Sequence, residues 1–584
     1  MKKISIIIAS ALLLAFATAC NQNRLEIPKK GVVSEESFYQ TDADAESALV
    51  AAYYNACRAM CAAGTGNGSL YAPMLSCFSI PSDDFWGGGA NFGDTDYLSK
   101  PNEWRADSQN SVFNTCYKQA YSAIFYANCV ITKFNASDSA VKAKCIDEAR
   151  FIRAMFHLYL AIGWGQPPIV TEILGAEDRP GNSAPGECLA FVESELKDIL
   201  PRLNKRNGPT DKAGVYRANQ GICLALLAKA QMWQGKYAEA KANLKTIIDS
   251  GDYALVPGDQ WHDLFHKPGD GSAEKMMEYN CYEFTHGGSW NSGAYKLFTQ
   301  QFRRMNHWRN SNCYIPTGSY NQTGYGAGNP SGKFAKALIA NDGMDSYRRK
   351  GTVLTFDEVI LDCLYTSDAD CPTDEAKMAD DRRGIHNAAG LFGHEGYFSN
   401  KWNMRASETE RDNWNEANFH IMRYAEVLLM YAECCVQTNS DLDKGLEALN
   451  AVQERAGSQH ISQTLTLKEV QNEKWFEFWY EGLRWADAVR WGIAAQEFSN
   501  ASKKPGHKAS ELPSFVDTHF TSVSAAEAED GQAHPEDRSK HIGVVVWRDY
   551  EFGSPDFDAS RDCLFPYPFS EININPNIVQ NPGW

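Results

Sequence analysis

Apolar residues recur along this chain at the three-and-four spacing of helices, in blocks separated by long stretches with no period. Over 141–160, Ile152, Met155, Phe156, Tyr159 and Leu160 share one helical face. Gly165-Gln166-Pro167-Pro168 then ends the helix, because proline has no amide proton to donate and restricts the residue before it. In 218–251, Ala228, Gly235, Tyr237, Ala240, Leu244 and Ile247 stand at the offsets of a tetratricopeptide helix pair. A small residue there lets two helices approach, glycine turns the chain, and Ser250-Gly251 closes the unit. A second pair is predicted over 419–457: Ala425, Leu428, Leu429, Ala432 and Cys435 line one face, and 441–444 turns the chain. A third helix, 467–491, is dense in aromatics: Trp475, Phe476, Phe478, Trp479, Tyr480 and Trp485.

Helices apolar on both sides must be sandwiched, so the pairs are expected to stack. The fold class is therefore all-α, a tetratricopeptide-like helix-pair scaffold with long irregular loops. The loops are 61–110, 256–335 and 345–418, rich in Gly, Asn, Asp and aromatics; loops that long in a compact protein are usually functional. Segment 500–540, polar and charged, is expected to be an exposed excursion.

The start of the chain has a different pattern. Lys2 and Lys3 precede an apolar run, Ile4 to Phe16, that stops at Ala17-Thr18-Ala19-Cys20. A basic start, a short apolar stretch and small residues predict a signal peptide over 1–19, with Cys20 as a lipidated N-terminus. The mature chain divides into an N-terminal half, 20–255, and a loop-rich C-terminal half, 256–584. No second apolar run reaches the roughly 18 residues needed to span a bilayer. The net charge of −17 would repel phosphate backbones, which argues against nucleic acid as a partner. The 16 cysteines mostly sit in helical apolar patterns, as Cys129, Cys223 and Cys434 do, and read as buried thiols. Cys363 and Cys371, flanking a short polar loop, are the one candidate disulfide pair.

Motifs for chemistry are missing. There is no HExxH zinc helix, no GxSxG elbow and no GxGxxG fingerprint, so neither a metal nor a cofactor is expected. Gly328-Asn329-Pro330-Ser331-Gly332-Lys333 has its glycines too close for a phosphate loop and reads as a turn. Asp368, Asp370 and Asp374 read as a solvated acidic loop. Sugar binding, by contrast, needs flat aromatic plates for pyranose C–H groups and polar side chains for hydroxyls. Two irregular segments combine these. The first holds Asp83, Asp84, Trp86, Asn91, Phe92, Tyr97 and Trp104 around Gly87-Gly88-Gly89. The second holds Trp290, Tyr295, Arg303, Trp308, Tyr314, Tyr320 and Tyr325. The candidate ligand residues are Trp86, Asn91, Trp290, Tyr295, Trp308, Tyr314, Tyr320 and Tyr325. Trp86 and Trp290 lead, because adjacent glycines let a backbone hold a ring exposed.

Five stretches resemble the SusD/RagB family of nutrient-uptake lipoproteins. They are Leu25-Glu26-Ile27-Pro28 with 43–49; Glu148-Ala149-Arg150-Phe151-Ile152-Arg153-Ala154; 423–433; Asn472-Glu473-Lys474 through Asp487; and 564–584 with its Asn-Pro-Gly-Trp ending. Trp475 stands where the family pattern has a second arginine, so packing is expected to replace an ion pair there. Asn21-Gln22-Asn23 stand where acidic residues help direct such lipoproteins outward. The resemblance implies a non-enzymatic, lipid-anchored outer-membrane protein that binds an oligosaccharide and delivers it to a SusC-like TonB-dependent transporter. A peptide-binding, RagB-like protein of the same architecture is the alternative. Glu148, Arg150 and Arg153, and Glu477, Glu481 and Arg484, have helical spacing suited to ion pairs within each helix.

Overall fold

The structure, a computed structural model, describes residues 38–60, 73–87, 95–280, 303, 326–355, 358, 397–403, 405, 409–410, 414–415, 417–499 and 556–584. Cys20, Cys363, Cys371, Asp368, Asp370, Asp374 and segment 500–540 lie outside these. The described chain is mostly helical, as expected. Helices α1 (Asp42–Met60), α2 (Pro73–Ser79) and α3 (Asp96–Asn102) precede a long antiparallel pair, α4 (Ser111–Lys133) and α5 (Ala140–Trp164). Asn110 caps α4 and Ser139 caps α5, each accepting an orphan amide of the first turn. On α5 most of the predicted face is buried: Ile152, Met155, Phe156 and Leu160 are 0% exposed, and Tyr159 is partly buried. Each such side chain contributes about 1.5–3 kcal/mol by leaving water.

α6 (Glu187–Ile199) leads to the first predicted tetratricopeptide pair, α7 (Gln220–Trp233) and α8 (Tyr237–Ser250). Gly235 turns between them at φ 72°, a left-handed conformation that favours glycine. The second pair is α11 (Tyr424–Thr438) and α12 (Leu442–Ala456), turning through Asn439 and Asp441, both at positive φ. These pairs stack although some 170 residues separate α8 from α11: α8 lies along α11, and Lys229 on α7 meets Glu426 on α11 at 2.6 Å. The helices between are α9 (Gly332–Asp342) and α10 (Tyr347–Thr352); α13 (Leu467–Glu477), α14 (Arg484–Arg490), α15 (Ala494–Glu497) and α16 (Phe569–Ile574) follow. No helix among the described residues is long and apolar enough to cross a membrane.

Three expectations change. Residues 419–423 are a strand, not the start of a helix. The phosphate-loop-like stretch is a strand running into α9, with Ser331 as its N-cap. The aromatic helix 467–491 is broken between α13 and α14, where Tyr480 and Gly482 take φ values of 58° and 78°.

Among the described residues the strands form four antiparallel ribbons: β1 (Phe85–Gly87) with β3 (Gly328–Pro330), β2 (Lys275–Tyr279) with β8 (Phe419–Arg423), β4 (Val353–Thr355) with β5 (Tyr397–Ser399), and β6 (Thr409–Glu410) with β7 (Trp414–Asn415). The described cysteines are free, and Cys77, Cys116, Cys145, Cys188, Cys223, Cys434 and Cys435 are buried. Residues 564–584 close the end of α5. Phe565 donates its amide to Gly163, Trp164 donates its indole N–H to Pro566, and Asn581 donates to the Trp164 carbonyl.

Candidate functional site

The ribbons decide where the irregular segments begin and end. In the first, Gly87 is paired with Gly328. The segment that follows Gly87 in sequence and the one that leads into β3 therefore meet at the same end of one ribbon. These are the two aromatic segments singled out from the sequence, nearly 200 residues apart. Thr355 is likewise paired with Tyr397, and Tyr279 with Phe419, so the other two main ribbons also end at segments that the sequence predicts to be loops. β5 lies beside β3.

What holds these ends is the interruption between α13 and α14. A straight helix would point residues 477, 481 and 484 along one face. The break sends Arg484 to the β1–β3 ribbon, while Glu477 and Glu481 share Arg423 of β2–β8 and Glu481 also meets Lys401 beyond β5. For the β1–β3 ribbon, Asp83 accepts from Arg484 at 2.9 and 3.0 Å and from Lys333 at 2.5 Å. Trp479 donates its indole N–H to the Asp84 carbonyl at 2.8 Å. For β4–β5, Lys401 just beyond the strand donates to the carbonyls of Glu477 and Trp479 and to the Glu481 carboxylate. For β2–β8, Arg423 at the strand end reaches Glu481 at 2.7 Å, Glu477 at 2.8 Å and Glu274 at 2.7 Å.

Glu477 is the hub. It receives Arg423, Arg455 at 2.5 Å and Arg348 at 3.2 Å, together with the Trp261 indole. Burial alone would push its carboxyl up; the three guanidiniums overcome this and hold it at about 2. Glu481 behaves the same way: burial raises it, and Arg423 and Lys401 hold it well below the usual range. Burial drives Lys401 down to about 8 against the pull of Glu481. Two carboxylates held this firmly in the ionised state are the reverse of a glycosidase general acid, which needs a raised pKa. Their role is mechanical.

The first aromatic segment is therefore largely an anchor. Trp86 is 0% exposed, so its ring faces protein and the expectation of an exposed plate is corrected. Gly87 serves a different purpose: a Cβ there would sit 3.1 Å from the Leu98 carbonyl of α3. The Asn102 side chain completes the turn, donating to Ile80 and Phe85 and accepting from the Gly87 amide. Asp83 and Asp84, proposed as hydroxyl binders, are buried; burial and then the Asp83 charge push Asp84 above the ordinary carboxylate range. Trp104 is buried as well, and Arg303 is buried with its guanidinium 5.5 Å from the Trp402 ring. Asn91, Trp290, Tyr295, Trp308, Tyr314, Tyr320 and Tyr325 lie outside the described residues.

Trp475 confirms that packing replaces an ion pair. Its ring lies 4.7 Å from the Arg484 guanidinium and its N–H reaches Asp84 at 3.2 Å. The predicted ion-pair residues do form pairs, but across elements. Arg150 and Arg153 meet Glu195 on α6, and Glu148 meets Arg217.

Residues 298–584 match the SusD family. A SusD-like protein from Bacteroides ovatus is 22% identical over 99% of this chain and 97% of its own length. Among solved structures, a laminarin-binding SusD-like protein superposes with a TM-score of 0.68 at 20% identity, covering 94% of this chain and all of the other. Surface glycan-binding protein A from Bacteroides thetaiotaomicron, in complex with laminarihexaose, superposes with a TM-score of 0.67 at 20% identity, covering 93% of this chain and 100% of the other. A helical scaffold of stacked tetratricopeptide-like pairs and these matches agree: the chain belongs to the SusD family.

Proposed function

We propose that this protein captures an oligosaccharide on the face where the ribbons release their irregular segments, and hands it to a SusC-like TonB-dependent transporter. The observation that carries this reading is the Gly87–Gly328 pairing, which joins two aromatic- and amide-rich segments at one place. A shared origin suits a ligand several rings long, because both segments depart from the same end of one ribbon. Family membership and the laminarihexaose complex of a structural neighbour support the ligand class. Capture needs no turnover, and no cofactor is required. Lipidation at Cys20 would tether the protein to the outer membrane, in keeping with the cell-surface location of the family. Tethering beside the transporter raises effective concentration, so modest affinity is enough.

Residues 21–584, purified without lipid, are titrated by calorimetry with an oligosaccharide panel and, in parallel, with mixed peptides. Saccharide binding lost in a folded Trp290→Ala/Tyr320→Ala variant supports the reading. Binding of peptides alone would transfer the protein to a RagB-like role. Release of reducing sugar over time would show an enzyme instead.

A further inference from the structure

A second concave site lies outside the ribbons. α4, the segment 168–180 and α16 enclose a cavity of about 290 Å3, at the low end of the roughly 300–1,000 Å3 typical of small-molecule sites. None of the ribbon residues lines it. Its apolar wall is made by Tyr121, Pro168, Leu174 and Ile574, with Leu174 37% and Ile574 63% exposed. The three segments are cross-linked, so the cavity is held open by structure. Tyr121 donates its hydroxyl to the Pro168 carbonyl at 2.7 Å, Asn575 donates to Pro180 at 2.8 Å, and Arg179 Nε donates to Ile574 at 3.2 Å.

Four charged side chains line the same cavity: Lys118, Arg179, Asp178 and Glu571. Lys118 and the Glu571 carboxylate have no hydrogen-bond or ion-pair partner among the described residues. Arg179 spends Nε and Nη1 on carbonyls, which leaves Nη2 without one. Asp178 accepts only the Gly175 amide, through Oδ2. Two cations and two carboxylates thus line one cavity beside its apolar wall, none of them neutralised by direct pairing.

That combination selects a ligand. A phosphate or an ammonium group would meet one repelling pair for each attracting one. A neutral polyol meets neither penalty, because hydroxyls both donate to carboxylates and accept from guanidinium and ammonium. The apolar wall suits the C–H face of a pyranose ring. We propose that this cavity is a second carbohydrate site, taking a terminal neutral pyranose unit between Lys118/Arg179 and Asp178/Glu571. The proposal rests on the glycan reading above for its ligand class and on the cavity alone for its location. It makes the protein bivalent for a long chain, with one contact on the loop face and one on the helical body.

The test is amide hydrogen exchange on residues 21–584 with millimolar laminarihexaose, cellohexaose and maltohexaose. At least one sugar should slow exchange in both 168–180 and 569–575. The Arg179→Ala/Glu571→Gln variant should need about tenfold more sugar for the same protection, as expected for losing a charge-assisted hydrogen bond. Leu174→Trp, which fills the cavity, should abolish the protection, while Trp290→Ala/Tyr320→Ala should leave it unchanged. Protection confined to the loop segments would overturn the second site and leave the glycan reading standing. Protection of 168–180 that vanishes in the loop variant would also overturn it, showing an indirect effect of the first site. No response anywhere to any of the three sugars would overturn both.

Discussion

Replacing Glu477 by Gln keeps the shape of the hub and removes its charge. The three guanidiniums that converge on it are themselves buried, so solvent cannot replace the lost partner. The fall of its carboxyl from an ordinary 4.5 to about 2 corresponds to about 3 kcal/mol of folding stability at neutral pH. Breaking a buried ion pair by removing one member independently costs about 3–5 kcal/mol. The two routes agree, and Glu477→Gln should lower the unfolding free energy by about 3 kcal/mol. The pH dependence follows from the direction of the shift. A depressed carboxyl stabilises fully above its unfolded value of 4.5, and the contribution is lost as pH falls through about 2. The gap between parent and variant should therefore shrink to about half at pH 3. Urea unfolding followed by tryptophan fluorescence at pH 7, 5 and 3 measures both quantities. A gap under about 1 kcal/mol at pH 7, the level of an exposed pair, would refute the hub. So would a gap that does not change with pH.

Three further outcomes are expected. Gly87→Ala forces a Cβ to 3.1 Å from the Leu98 backbone and should cost about 1–3 kcal/mol by overpacking, read as a lower midpoint in thermal melts. Gly445→Ala brings a Cβ to 2.5 Å from Leu465 and 2.8 Å from Cys435; it should separate α11 from α12 and cost a similar amount, about 1–3 kcal/mol, by the same measurement. Burial holds His157 down at about 4 and His420 at about 3, both below the ordinary 6.5. Neutral buried histidines stabilise above 6.5 and lose that contribution as pH falls, so each should remove about 2 kcal/mol between pH 7 and pH 5. Urea midpoints across that range check it, and His157→Asn should flatten the slope.

Much of the scaffold was legible because helix pairs write themselves locally. Gly235 must turn, Ala228 and Ala240 must be small, and α5 repeats its apolar face every three or four residues. These constraints span fewer than twenty positions. The loop anchors were not legible, because their partners are remote: Arg484 and Asp83 are 401 residues apart. Helical spacing suggested that Glu477, Glu481 and Arg484 would pair within their own helix. The break at Tyr480 sends Arg484 to Asp83 before β1, and both glutamates to Arg423 of β8. A left-handed tyrosine carries no sequence signal, and only Gly482 hinted at a stop. Trp86 shows the same limit from the other side. Glycine neighbours permit an exposed ring, but they also permit close backbone approach, and composition does not distinguish the two.

The closure of α5 by residues 564–584 bears on how the chain is made. The Trp164 indole waits for a carbonyl 402 positions later, which at about 5–20 residues per second takes tens of seconds to be synthesised. Until then the end of α5 presents Trp164 and a ring-sized gap at Gly163, where a Cβ would lie only 2.8 Å from Phe565. A nascent chain truncated before 564 would keep this hydrophobic notch open indefinitely. The notch is sealed only when residues 564–584 pack against the end of α5.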